Sequence, residues 1–177
     1  MPKGCYVRHQ IRVKRHQVIQ PDDPTYRLIP LTRGQNALVD TEDYEWLSKF
    51  NWKADWSDHT KSFYATRTKE HIAMHREILK VGARIKVDHR NHDTLDNRKK
   101  NLRKCTNAQN LANMRKRISR SGFKGVHFHK RAGKYIVRIR GRHVGCFVSA
   151  EDAARAYNSK ASELFGEFAS LNKGAIA

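Results

Sequence analysis

Residues 87–114, VDHRNHDTLDNRKKNLRKCTNAQNLANM, hold the densest set of groups able to do chemistry. Asp88 and His89 stand side by side at the end of an apolar run, Asn101-Leu102-Arg103 follows a polar loop, and Asn110 comes later. Hydrolysing a phosphodiester requires an activated water, stabilisation of charge on the phosphate and leaving oxygen, and alignment of all three. Asp88 and Asn110 offer hard oxygen ligands to one divalent cation, magnesium above all, with manganese able to use the same oxygens. His89 suits a general base, because a neutral imidazole with a pKa of about 6.5 accepts a proton at physiological pH. Asn101 would orient that imidazole or tie the loop to the next helix. A polar loop of Asn and Arg also satisfies its own backbone, so the weight lies on the ordered set rather than on the Asp-His pair.

Elements must bring these residues together. RIKV reads as a strand end that delivers Asp88 and His89, and Asn101-Leu102-Arg103 as the start of a second strand. Thr106 and Gln109 form a capping box that opens a short helix with Asn110 in its first turns. The order is strand, loop, strand, helix. Upstream, residues 25 to 75 read as short strands broken by turn signals: YRLIPL, TRGQNALVD, FNWKADW, SFYATRT and HIAMH. Asp40 and Asp43 ahead of YEWL predict one short capped helix with Tyr44 and Leu47 on its buried side. Trp46, Trp52 and Trp56 read as core or rim residues, and His75, placed before a helix, as structural.

The 177 residues suffice for two small units joined by a short linker. The net charge of +19 is the stronger constraint, because a compact chain that basic repels itself unless a polyanion neutralises it. Between Asp96 and Glu151 there is no Asp or Glu, while Lys and Arg occur 16 times. A solvated face mixes signs, so double-stranded DNA is the expected partner. No run of roughly 18 apolar residues and no basic amphipathic helix points to a membrane, and no obligate protein partner is evident. The basic N-terminus lacks the apolar run of a secretory signal, so the expected location is the cytoplasm of a bacterium or a phage-infected host. Cys5, Cys105 and Cys146 are odd in number and far apart, which argues against disulfides and against a structural zinc.

Residues 115–121 read as a basic linker lying on DNA phosphate. After it, GVHFHK and KYIVRIRGRHVGCF are β-like runs, interrupted at Gly141. Ser149 and Asp152 then cap a helix on which Ala153, Ala154, Tyr157, Ala161, Leu164 and Phe165 recur before Gly166, with Ala153, Tyr157 and Leu164 read as core. Strand alternation puts Arg138, Arg140 and Arg142 on one side, able to pair with guanine in a major groove, and Val137 and Ile139 on the other. Further basic residues, Arg103 and Lys134 among them, are assigned to DNA phosphate.

On these residues, 87–114 resembles the HNH (ββα-metal) endonucleases, especially phage and intron homing enzymes. Asp88-His89 begins the motif, Asp96-Asn97 and Asn101-Leu102-Arg103 continue it, and Asn110 falls where the family's last metal ligand falls. The resemblance implies Asp88 and Asn110 as ligands, His89 as base and Asn101 as structural. ALVDTEDYEWLSKFNWKA and MHREIL resemble the region that precedes the motif in many such enzymes. The C-terminal segment, GFKGVHFHKRAGKYIVRIRGRHVGCF with SAEDAARAYNSKASELFG and EFASLN, resembles the Apetala/ethylene-response-factor type DNA-binding domain. That implies a three-stranded sheet packed on one helix, with Lys124, His127, His129, Arg138, Arg140 and His143 at DNA contact positions and Arg131 near another.

The expected fold is α+β: a small β-rich N-terminal unit leads into a ββα-metal nuclease motif, then a three-stranded antiparallel sheet on one helix. The expected domains are 1–114, with the nuclease core at about 75–114, the linker 115–121, and 122–173. The leading functional expectation is a phage-type homing endonuclease, in which removal of everything after Arg117 leaves some nicking. The rivals are a non-catalytic DNA-binding regulator with a degenerate nuclease scaffold, and an RNA-binding protein, which would need outward aromatic platforms.

Overall fold

The structure, a computed structural model, describes residues 15–67, 71–114 and 120–175. Most of the expected linker, 115–119, lies outside those residues. The chain forms two compact units, one of residues up to 81 with 93–101, the other of 82–92 with 102 onward. The unit boundary therefore runs through the motif: its strand pair and helix belong to the same unit as the C-terminal sheet.

In the first unit, β1 (Tyr26–Pro30) and β2 (Asn36–Asp40) form an antiparallel hairpin. Helix α1 (Thr41–Leu47) follows directly, as the sequence predicts. Its cap differs: Asp40 is the N-cap residue but makes no side-chain cap bond, and Asp43 rather than Tyr44 is buried with Leu47. Positions 43 and 47 are one turn apart and share a face, and Trp46 Nε1 donates to Asp43 at 3.0 Å. Strands β3 (Lys53–Ser57), β4 (Ser62–Arg67) and β5 (Ile72–Ala73) make an antiparallel sheet in that order, and HIAMH yields only two strand residues before α2 (Met74–Ile78) begins. Ile29, Val39, Leu47, Trp52, Ala54, Ala65 and Met74 supply the core. The 93–101 loop docks on β2: Leu38 N–H donates to Leu95 O and Asn97 N–H to Leu38 O, at 2.9 and 2.8 Å.

In the second unit, β6 (Lys86–His89) pairs antiparallel with β7 (Leu102–Cys105), and α3 (Asn107–Asn113) packs on both. The Thr106–Gln109 capping box is present in full. Strands β8 (Val126–His129), β9 (Lys134–Ile139) and β10 (Arg142–Phe147) form an antiparallel sheet with β9 central, and α4 (Ala150–Phe165) covers one face. Ser149 accepts the Asp152 N–H as N-cap.

Val126, Val137, Ile139, Ala153, Ala154, Tyr157 and Ala161 are the core between sheet and helix. Leu164, expected there, is 50% exposed. The buried row runs 153, 157, 161, so the next residue on it is Phe165, which does pack against the core. Gly125 has a φ of +75°, and a Cβ there would lie 2.3 Å from the Tyr157 ring. The folded unit is mixed α and β with small antiparallel sheets, as expected.

Candidate active site

Antiparallel pairing sets Asp88 opposite Arg103 and His89 opposite Leu102. Both Asp88 and Arg103 are buried. Arg103 Nε donates to Asp88 Oδ2 at 2.8 Å and Nη2 lies 2.6 Å from the same oxygen. Nη1 donates to the Glu167 carbonyl at 2.6 Å, and the guanidinium carbon sits 3.8 Å from the Phe168 ring centroid. Arg103, read from sequence as a DNA contact, is therefore only 7% exposed and spends its charge inside the protein. From α3, Asn113 Nδ2 donates to Asp88 Oδ1 and Oδ2 at 2.9 and 3.0 Å and to the His89 carbonyl at 3.1 Å. His89 is 5% exposed at the end of β6, where the His92 N–H closes a turn onto its carbonyl at 3.0 Å.

Asn110 lies three residues before Asn113, on the same helix face. It is half-buried, and its side-chain amide makes no hydrogen bond among the described residues. Asn101 is buried and donates to the Asp96 carbonyl at 2.7 Å, which ties down the 93–101 loop. His75 is buried on α2, its ring edge-on to Tyr64. Burial pushes the Cys105 thiol pKa up and the charge of Asp88 adds to the rise, while Arg103 and Lys86 oppose it; the neutral thiol is a poor ligand and nucleophile. Asp40, Glu42 and Asp43 also converge, but Lys99 occupies the cluster: its N–H donates to Asp40, and its ammonium meets Glu42 and Asp43 at 2.6 and 3.0 Å.

The outer face of the β8–β10 sheet is basic. Arg138 faces His143 across β9 and β10, and Lys134 faces His129 across β9 and β8, all exposed; His127 shares the face and Arg131 lies exposed in the connecting turn. Three expected members are elsewhere. Strand β9 stops at Ile139, and Arg140-Gly141 form a turn with φ of +51° and +78°, as a two-residue hairpin of this type requires. The alternation ends there, so Arg140 lays its guanidinium over Phe165, 4.7 Å from the centroid. Arg142 sits opposite Ile139, on the helix side of the register. Lys124 Nζ donates to the carbonyls of Ala112 and Met114 at 3.0 and 3.1 Å, closing the C-terminal end of α3.

No family model matches the chain, and no solved structure matches it. A protein of Acanthamoeba polyphaga mimivirus named as an uncharacterized HNH endonuclease is 28% identical over 150 residues, 84% of this chain and 80% of that relative. That likeness supports an HNH nuclease. A match of this length extends well beyond residues 87–114, so it does not rest on the Asp-His motif alone. Among the described residues no helix is long and apolar enough to cross a membrane.

Asn113, Glu167 and Phe168 were not found by sequence reasoning. A signal for Asn113 existed: once Thr106 and Gln109 fix the phase of α3, positions 110 and 113 share one face. Glu167 and Phe168 lie more than 60 residues beyond Arg103 in a short 3₁₀ turn, Gly166–Phe168, with no motif of their own.

Proposed function

We propose that this chain is a DNA endonuclease that hydrolyses phosphodiester bonds with one divalent metal ion. His89 is the general base, Asp88 and Asn110 are the metal ligands, and the outer sheet face of Lys134, Arg138, His127, His129 and His143 binds double-stranded DNA. The observation that carries the reading is the buried Asp88 carboxylate, held by Arg103 and Asn113 beside buried His89.

The donor set fits magnesium or manganese. Among the described residues, Asp88 Oδ2 receives Arg103 and Asn113, whereas Oδ1 receives Asn113 and keeps a lone pair for a cation. Asn110 adds a second hard oxygen, with no competing hydrogen-bond partner among the described residues. When bound, the ion would act as a Lewis acid on the phosphate and leaving oxygen. His89 would take the proton from the attacking water, and Arg103 would hold the Asp88 carboxylate still.

The three antiparallel strands and covering helix support an Apetala-type reading of residues 122–173. Its exposed Arg138 and Lys134 would hold phosphate and base edges and raise the local concentration of the site at DNA. With one such site among the described residues, a single protein nicks. A phage-type homing role, in the cytoplasm of an infected host, accords with the order of the motif residues. Incubation of supercoiled plasmid with the purified chain tests the activity: open circles form with magnesium and not with chelator. Intact plasmid in both, including one carrying the flanking genomic sequence, would leave a DNA-binding regulator.

A further inference from the structure

The contacts of Arg103 join the motif to the C-terminal end of α4. Its guanidinium gives two donors to Asp88, one to the Glu167 carbonyl, and its face to Phe168. The Glu167 carboxylate meets Arg90 Nη1 at 2.6 Å and stands 3.8 Å from Arg103 Nη1. Arg90 directly follows His89, so the 3₁₀ turn grips both strands of the β6–β7 pair. Phe168 is 7% exposed, which removes water from the face of the guanidinium and strengthens the stacking. A planar fork bonded at two edges and covered on one face has its orientation fixed, which a Lys ammonium would not.

We infer that Phe168 and Glu167 are positioning residues of the nuclease site: acting through Arg103, they fix the Asp88 carboxylate in place to hold the metal. The inference rests on the endonuclease reading above. It makes the end of the DNA-reading segment part of the catalytic unit, so the two activities are not separable by a cut between them. Groups that orient a metal ligand typically matter by about 10- to 100-fold in metal affinity or activity.

The test uses the full chain with Phe168→Leu, which keeps apolar volume but loses the aromatic face, and Phe168→Tyr, which keeps the face. Binding of Mn²⁺, followed by its free-ion electron paramagnetic resonance signal, reads the site without DNA. Phe168→Leu weakens Mn²⁺ by about 10-fold or more, Phe168→Tyr restores it, and plasmid affinity without metal is unchanged in both. Equal Mn²⁺ affinity in wild type and Phe168→Leu overturns the inference. If Phe168→Leu does not fold, the wild-type Arg103 Nε–H decides: slow solvent exchange with a ring-current shift supports the clamp, and exchange as fast as that of exposed arginines overturns it. A wild-type chain that binds Mn²⁺ with this dependence on Phe168 yet cuts no DNA contradicts the endonuclease reading alone.

Discussion

Asn113 spans Asp88: one side-chain amide donates to both carboxylate oxygens, at 2.9 and 3.0 Å, and reaches the neighbouring His89 carbonyl at 3.1 Å. The contact pins α3 to β6 and fixes where Asn110, one turn earlier, stands relative to Asp88. It also leaves the carboxylate gripped from two sides, by an amide from the helix and a guanidinium from the partner strand.

Asn113→Ala removes those bonds from a buried carboxylate. Hydrogen bonds to a charged group are worth about 1.5–3 kcal/mol, so the variant melts at lower temperature and loses cleavage together with stability. An unchanged thermal midpoint would show that the amide does not hold Asp88.

Arg138 and Arg142 separate a face from a register. Arg138→Ala weakens DNA binding and reduces the salt dependence by about one counterion if it contacts phosphate, whereas Arg142→Ala, on the other side of the sheet register, has the smaller effect. Gel-shift titrations at several salt concentrations measure both; a larger loss for Arg142→Ala contradicts the placement of the interface.

Gly125→Ala combines a φ of +75° with a Cβ 2.3 Å from the Tyr157 ring. Strain in the left-handed region and overpacking together cost about 2–4 kcal/mol. Denaturant unfolding of the full chain reads this as a lower midpoint; a wild-type midpoint would mean that Tyr157 does not pack against Gly125 at the start of β8.

Local signals carried much of the fold into the sequence. The capping residues Thr106, Gln109 and Ser149, the alternation of Val137 and Ile139, and the row 153, 157, 161 each act within one element, so short-range physics suffices to read them. The readings that changed depended on where an element stops or what it meets. Arg140 left the basic face because β9 ends one residue earlier, Leu164 because the buried row continues to Phe165, and Lys124 because a helix end lacked donors for its carbonyls. Arg103 is the sharpest case: its charge suggested DNA, and its partners Asp88 and Phe168 are 15 and 65 residues away in sequence, beyond the reach of any local pattern.

Truncation after Arg117 therefore differs in outcome from a simple loss of a tether. The shortened chain lacks Glu167 and Phe168, so Arg103 loses its covering ring and carbonyl, and Lys124 no longer closes α3. Metal-dependent nicking falls to background along with DNA affinity. Retention of wild-type nicking by the truncated chain would restore the separable arrangement.

The most direct test of the central claim compares wild type with His89→Ala on supercoiled plasmid in magnesium, alongside a gel shift in chelator. The account predicts open circles from wild type, none above background from the variant, and the same DNA affinity for both. Equal nicking by His89→Ala would contradict the assignment of His89 as the base.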